Sequence, residues 1–206
     1  MLNLWGRLSS INVRKVVLAA QWLGIAFERT EAGHEFGIVK TPDYLAKNPN
    51  ALVPLMKDGD FQLWESNVIV RYLCAKHSPG KLYPEGLAQR FDAERWMDWQ
   101  QTTLNPAGRN AFVQLMRTPV GKRNADLIAQ SVAATEPLMA MLDQHLSQRA
   151  FMAGTDFTMA DIPIACEVHR WTGLPIARPP RPAIERWYHG VLAHPASRGV
   201  LDLPLS

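Results

Sequence analysis

The stretch Asn48–Tyr72, NPNALVPLMKDGDFQLWESNVIVRY, decides how this chain is read. Two short β-type runs, Leu55-Met56-Lys57 and Phe61-Gln62-Leu63-Trp64, flank Asp58-Gly59. That dipeptide favours a tight hairpin, because the central residues of such a turn need positive φ. Glu65-Ser66 then opens an apolar series at helical spacing: Val68, Ile69, Tyr72 and Leu73. Ser66 is expected to be the N-cap of that helix, leaving free N–H groups and the positive end of a dipole beside it. Such an end attracts carboxylates. Val53-Pro54 stands just before the first strand, where a proline breaks no ladder. If its peptide bond is cis, the Val53 N–H and C=O turn away from the sheet and are free to pair with an extended peptide.

Working outward, Leu2-Asn3-Leu4-Trp5 reads as a strand and Gly6–Ser10 as a loop. Ser10 or Asn12 caps a helix whose apolar face is Val13, Val16, Val17, Ala20 and Leu23, closed by Gly24. Ile25–Thr30 reads as a second strand, so the first unit is a right-handed crossover with parallel strands. Thr41-Pro42-Asp43 starts another helix, with Thr41 as cap and proline in the first turn. The sum, βαβ then α then ββα, is the thioredoxin-type order. A thioredoxin would carry a reactive cysteine where its first helix starts. Here the positions read Ser9-Ser10-Ile11-Asn12, so a hydroxyl rather than a thiol is on offer. Arg14 and Lys15 are expected to be solvated on the exposed side of this helix, or offset by stem burial or an anion, because the dipole disfavours cations in a first turn.

After the Pro- and Gly-rich run SPGKLYPEG the chain looks wholly helical. Leu87–Thr103 is one segment, bent or restarted at Asn105-Pro106. Asn124–Leu146 is a long helix with Leu127, Ile128, Leu138, Met141 and Leu142 as its core face and a kink or restart at Pro137. In AGTDFTMADIPIA, Thr158 and Asp161 form a capping arrangement in which Asp161 bonds back to the preceding turn, a structural role worth about 1 kcal/mol. Pro182–Leu192 makes the last helix.

The 206 residues are 47% hydrophobic, enough for a full core in one large or two small domains. A net charge of +3 without any Lys/Arg block suggests neither nucleic acid nor membrane as partner. The two cysteines, Cys74 and Cys166, read as buried thiols of a reducing cytoplasm. Arg7 interrupts the start of the chain, which does not read as a signal peptide, and no segment approaches a membrane span. The sequence contains no Gly-x-Ser-x-Gly elbow, no zinc-type His/Cys spacing and no phosphate-binding glycine loop.

The ordered set from Asn48 to Ile69, NP-x-x-x-VP, a hairpin, then ES-x-x-I at a helix start, resembles the glutathione-binding half of the cytosolic glutathione transferases. The A-G-x-x-F-T-x-A-D-I run resembles that family's second domain, so the likeness covers almost the whole chain. RLSSINVRKV is similar to its serine-type members, theta-, phi- and zeta-like classes among them. The resemblance implies an α/β thioredoxin-like N-terminal domain over residues 1–79, a linker over 80–86 and an all-α helical C-terminal domain over 87–206.

It also implies a site. Ser10 is the first candidate to hydrogen-bond a bound thiolate; aligned to the zeta-like pattern, Ser9 is the candidate. Asn12 would donate to the sulfur or merely cap the helix. Val53, placed by Pro54, would pair with the cysteinyl backbone, and Glu65 and Ser66 would hold the γ-glutamyl end. Lys40, with His34 as a looser alternative, would meet the glycine carboxylate. Trp99, Thr103, Asn105, Arg109 and Trp171 would line the second-substrate pocket, although tryptophans at helical spacing also serve as core. The implied activity is conjugation of reduced glutathione, as co-substrate and with no other cofactor, to a small electrophile, as in detoxification, by a cytoplasmic homodimer. Alternatives are another glutathione-dependent enzyme (isomerase, dehalogenase, lyase or peroxidase) and a non-catalytic interaction module.

Overall fold

A computed structural model describes all 206 residues. β1 (Leu2–Trp5), β2 (Phe27–Thr30), β3 (Leu55–Asp58) and β4 (Phe61–Trp64) form one sheet in the order β2-β1-β3-β4. β1 and β2 are parallel because α1 (Ile11–Trp22) crosses between them, with Leu2 opposite Phe27 and Trp5 opposite Thr30. β3 is antiparallel to β1 and forms the hairpin with β4; Asp58 pairs with Phe61, so the turn is Gly59-Asp60, one residue later than the expected Asp58-Gly59, with Gly59 at φ 60°. β2 starts later than the sequence suggests, because the Ile25 N–H donates back to Ala20 to close the end of α1. α2 (Pro42–Leu45) begins under the Thr41 cap, whose hydroxyl accepts from the Tyr44 N–H.

α3 (Ser66–His77) differs from expectation at its tip: Ser66 is its first helical residue, not its cap. Glu65 holds the cap position at φ 74° and makes no side-chain capping bond. A non-glycine residue in that region is strained, so the hairpin's exit, and not a serine cap, sets how the helix starts.

Residues 78–86 contain neither helix nor strand. The helical half then comprises α4 (Leu87–Trp99), α5 (Asn105–Phe112), α6 (Ala125–Ser147), α7 (Asp161–Thr172) and α8 (Pro182–Ala193). A π-turn, Gln100–Leu104, joins α4 to α5. Pro106 supplies no N–H, so the restart expected at Asn105-Pro106 takes the form of a locally widened helix. A second π-turn, Val113–Arg117, ends this arm before Thr118-Pro119. No helix is long and apolar enough to cross a membrane.

α6 runs unbroken through Pro137, where the sequence suggests a kink or restart. Pro137 and Ala133, the residue whose carbonyl would lose its partner, are both exposed, so water replaces the missing bond. Its core face also differs. Leu142 is buried as expected, but Met141 points outward and Ser131, Thr135, Met139 and Leu146 are buried. Ser131 donates to the Ala107 carbonyl and Thr135 to the Ser131 carbonyl at 2.8 Å. Small polar residues let α5 and α6 approach closely, a face that a search for large apolar residues overlooks.

One apolar cluster of 39 buried residues, from Leu2 to Leu201, runs through both halves, so they share a core. α1 lies at its centre, against α3 on one side and α7 on the other, and every residue from Val13 to Ala20 is buried. This overturns the solvated reading of Arg14 and Lys15 and favours the alternative of burial, for they are 4% and 0% exposed. With protein on both flanks, α1 has no exposed side. Trp22 at its end is stacked between Phe157 and His194, 3.7 and 3.9 Å centroid to centroid.

Asp161 anchors the helical half. It is fully buried and accepts four hydrogen bonds: from the Met152 N–H and Trp187 Nε1 at Oδ1, and from the Thr158 N–H and hydroxyl at Oδ2. Asp161→Ala should lower stability by about 3 kcal/mol, since buried donors left without partners cost roughly 1–3 kcal/mol each and do not add fully. Guanidinium unfolding checks this. Asp161→Asn should fall between, because its amide would turn N–H against N–H.

Candidate active site

The site begins at the tip of α1. A turn closed by the Ser10 N–H on the Arg7 carbonyl at 3.1 Å leads into the helix. Ser10 is its N-cap by backbone geometry, and its carbonyl accepts from Val13 and Arg14, yet its side chain makes no capping bond. Its hydroxyl is therefore unspent, at the positive end of a dipole with no acid in the first turn. The Ser9 hydroxyl is equally unspent; its carbonyl accepts from Arg117 at 3.2 Å.

The Val53–Pro54 bond is cis. Val53 lies outside the strands, and its N–H and C=O take part in no loop or side-chain hydrogen bond. The preceding carbonyl, that of Leu52, accepts from both the Tyr44 hydroxyl at 2.6 Å and Asn48 Nδ2 at 2.8 Å. Asn48 of the NP pair thus clamps the loop one residue before the free pair. Gly6 and Gly33 let it sit close: a Cβ on either would lie 3.2 and 3.4 Å from the Val53 side chain, and on Gly6 also 2.4 Å from Val13.

Ser66 is 3% exposed, and its hydroxyl donates to Asn12 Oδ1 at 3.3 Å. With that oxygen engaged, the Asn12 amide keeps both its N–H bonds for a guest. The tips of α1 and α3 are thereby tied together.

A cavity of about 540 Å³ separates the halves. Of the residues singled out by sequence, Ser9, Ser10, Asn12, Val53, Asn105, Arg109 and His34 line it. Pro54, Glu65 and Ser66 do not line it; Ser66 is linked to it through its bond to Asn12. Lys40 is exposed and outside it, and Val39 lines it instead. Trp99 and Thr103 do not line it either: Trp99 packs edge-on against Trp96, and Thr103 is exposed. Trp171 is buried against Glu136, to which its indole N–H donates at 3.1 Å. The π-turns explain the miss. They widen the helix so that every fourth residue, Gln101, Asn105, Arg109, Val113 and Arg117, faces the cavity.

Sequence reasoning also passed over Arg7, Arg117, His169 and Arg170, which line the cavity with Arg14 and Arg109, whereas no Asp or Glu does. The recurrence of Arg109 and Arg117 on one helical face was the available signal. Arg14 is fixed by carbonyls: Nε donates to Leu8 at 2.7 Å, Nη1 to Val200 and Leu203 at 2.5 and 3.2 Å, and Nη2 to Pro204 at 2.9 Å. Nη1 also donates to His169 Nε2 at 2.8 Å. Since arginine only donates, Nε2 accepts, and the imidazole proton sits on Nδ1, 3.0 Å from the Tyr188 hydroxyl. Burial and the neighbouring Arg14 push His169 down to about 4, so the ring is neutral at physiological pH. Lys15 donates to Gln101 at 2.8 Å, and burial lowers it to about 8 against the pull of Glu167. The Cys166 thiol at the cavity wall is pushed up to about 12 by burial and is no nucleophile.

A thioredoxin-like half with a hydroxyl-tipped helix and a free backbone pair beside a cis proline, facing a helical half across a cavity, defines the transferase class of thioredoxin-fold proteins. The family model for the glutathione S-transferase N-terminal domain matches residues 4–81, and that for the C-terminal domain residues 103–195. Glutathione S-transferase GstB of Escherichia coli strain K12 is 41% identical over 208 residues, covering 100% of both chains. A theta class glutathione S-transferase from Xanthomonas axonopodis pv. citri, solved with glutathione bound, superposes with a TM-score of 0.96 at 38% identity, covering 100% of this chain and 99% of that one. Glutathione S-transferase 3 of Zea mays is 29% identical over 99% of this chain and 95% of its own. The chain belongs to the glutathione S-transferase family and is an enzyme of that family, a glutathione transferase.

Arg14→Leu should destabilise the protein by about 3 kcal/mol, because it strips buried carbonyls of charge-assisted bonds. Arg14→Lys should recover only part of this, since an ammonium lacks the fork. Denaturant midpoints of both variants give the comparison.

Proposed function

We propose that reduced glutathione lies extended along the Val53 loop, its cysteinyl backbone paired with the Val53 N–H and C=O, and that its thiolate attacks a small electrophile beside Ser10. The γ-glutamyl carboxylate meets the free N–H groups at the start of α3 and the Ser66 hydroxyl, while the Glu65 carboxylate faces the ammonium. The glycine carboxylate extends toward His34 and Lys40. One observation carries this reading: the unspent Ser10 hydroxyl and the unspent Val53 backbone pair face the same cavity.

The chemistry follows from the thiol's acidity. A free thiol with a pKa near 8.5 is mostly protonated at neutral pH, and only the thiolate attacks well. Lowering that value by about two units needs roughly 2.7 kcal/mol of preference for the anion. A hydroxyl hydrogen bond and the end of the α1 dipole are the suppliers, with the Asn12 amide as a third donor. The proton leaves to solvent. The sulfur then forms the C–S bond as the leaving group departs with its electron pair. Ser10 is preferred over Ser9 because it holds the N-cap position of α1, whereas Ser9 lies one residue before it with its carbonyl accepting from Arg117. No cofactor beyond glutathione as co-substrate enters this scheme, and a detoxifying role in the cytoplasm accords with it.

The assembly is proposed to be a homodimer. Phe61, Trp64, Val68, Leu87 and Phe91 leave large apolar surface exposed around β4, α3 and α4. Arg71 is already paired within its own chain, 2.5 Å from Asp98.

Ser10→Ala should raise the pKa of bound glutathione by about one to two units and lower the conjugation rate at pH 7 about tenfold or more. Glutathione affinity should change little, and Ser9→Ala should leave the pKa in place. Thiolate absorbance titrated against pH reads the shift directly; the opposite ranking of the two serines would remove Ser10 from the role. Phe91→Glu should convert the dimer to a monomer in light scattering.

A further inference from the structure

The arginines of the cavity fall into two sets. Arg14 spends its donors on four carbonyls and His169. Arg170 is ion-paired with Glu167, a buried carboxylate that also accepts from Gln100 at 2.7 Å. Arg7, Arg109 and Arg117 have no carboxylate partner. The nearest acids to Arg7 are Glu31, held by Arg29 at 2.6 Å, and Glu35, exposed on the turn that follows Gly33.

Two of these three heads, those of Arg7 and Arg117, are held in place, and that of Arg109 is exposed. The Arg7 guanidinium rests on Gly33, where a Cβ would come within 2.7 Å of Nη1. Arg117 lies over the Phe112 ring at 4.8 Å and donates to the Ser9 carbonyl. Arg109 stands two helical steps before it on the same face. The cations also feel one another: burial, then Arg7 and Arg170, and less strongly Arg109, push the Arg117 guanidinium below its ordinary value, with only Glu35 opposing. Uncompensated cations facing one cavity make an anion site.

We propose that Arg109 and Arg117, with Arg7 beside them, form an anion-binding subsite next to Ser10, and that the preferred electrophile carries a carboxylate or similar anionic group. This rests on the placement of the glutathione thiolate beside Ser10. An anionic electrophile approaching a thiolate is repelled by it, and guanidinium groups that neutralise its charge remove that barrier while fixing its orientation. On this helical face the apolar residues are Phe112 and Val113, while Ile11, Val39 and Leu205 line other parts of the cavity, so the guanidinium groups beside them add selection for charge to an ordinary apolar lining.

A matched pair of aryl chlorides tests this: 4-chloro-3,5-dinitrobenzoate and its methyl ester. In each, sulfur bonds to the ring carbon that bears chlorine, the C–Cl bond breaks, and chloride leaves with the electron pair. Rates are divided by those of free glutathione thiolate to remove intrinsic reactivity. The benzoate should show the higher normalised kcat/KM, by about tenfold, and raising the salt should shrink the gap. Arg109→Gln with Arg117→Gln should cut the benzoate's kcat/KM about 10- to 100-fold more than the ester's, the range for losing charge-assisted hydrogen bonds. The Lys variants at both positions should recover part of it.

Equal normalised rates for the two substrates, or equal losses for both in the Gln variants, would overturn the subsite. Calorimetric glutathione titration of the same proteins separates the underlying reading. If glutathione binds as in the wild type while both electrophiles lose equally, the subsite alone falls. Weakened glutathione binding in the Gln variants would assign these arginines to the tripeptide instead. No glutathione binding by the wild-type protein would overturn both.

Discussion

Arg14 cannot shed its charge, and the fold holds it where water scarcely reaches. Its guanidinium must therefore be met by acceptors, and the structure supplies them from three places: the Leu8 carbonyl just before the serine pair, the neutral His169 of α7, and the carbonyls of the segment from Val200 to Pro204. One fork of donors thereby fixes the reactive loop against the helical half and the last stretch of chain against both. Lys15 repeats the arrangement one residue on, reaching Gln101 across the boundary between the halves. The cations at the start of α1, anomalous for an isolated helix, are ties between domains.

Around that fixed helix, the receptor side is a division of labour between satisfied and unsatisfied backbone. Leu52 has its carbonyl doubly bonded, while its neighbour Val53 has none of its polar groups engaged. Free N–H and C=O groups deep in a core would be costly, but here they face a cavity open to water and to a guest. The strain of Glu65 at the tip of α3 sets how the chain leaves the hairpin and enters that helix. The Ser66–Asn12 bond then keeps the two helix tips in register.

The opposite wall has a different character. Two π-turns place residues four apart on one face, so the wall is made of Gln101, Asn105, Arg109, Val113 and Arg117 rather than of tryptophans. The tryptophans are spent on cohesion: Trp96 against Trp99 and His145, Trp22 within its stack, Trp187 on Asp161. A wall rich in guanidinium groups and poor in apolar surface recognises charge.

Much of this was legible in the amino-acid order because it is local. The hairpin around Gly59, the strand at Leu2–Trp5, the Thr41 cap, the capping role of Asp161 and the paired serines at the head of α1 all depend on residues within a few positions of one another. What depended on the packing of distant segments was not legible. The burial of Arg14 and Lys15 follows from α7 closing over α1, some 150 positions away in the chain. The outward turn of Met141, the displacement of Trp99 and Thr103 from the cavity and the gathering of Arg7, Arg109 and Arg117 around it follow from helix phase and domain contact. Turn and cap chemistry is written in neighbouring side chains, whereas exposure and charge compensation are set by whichever segment comes to lie alongside.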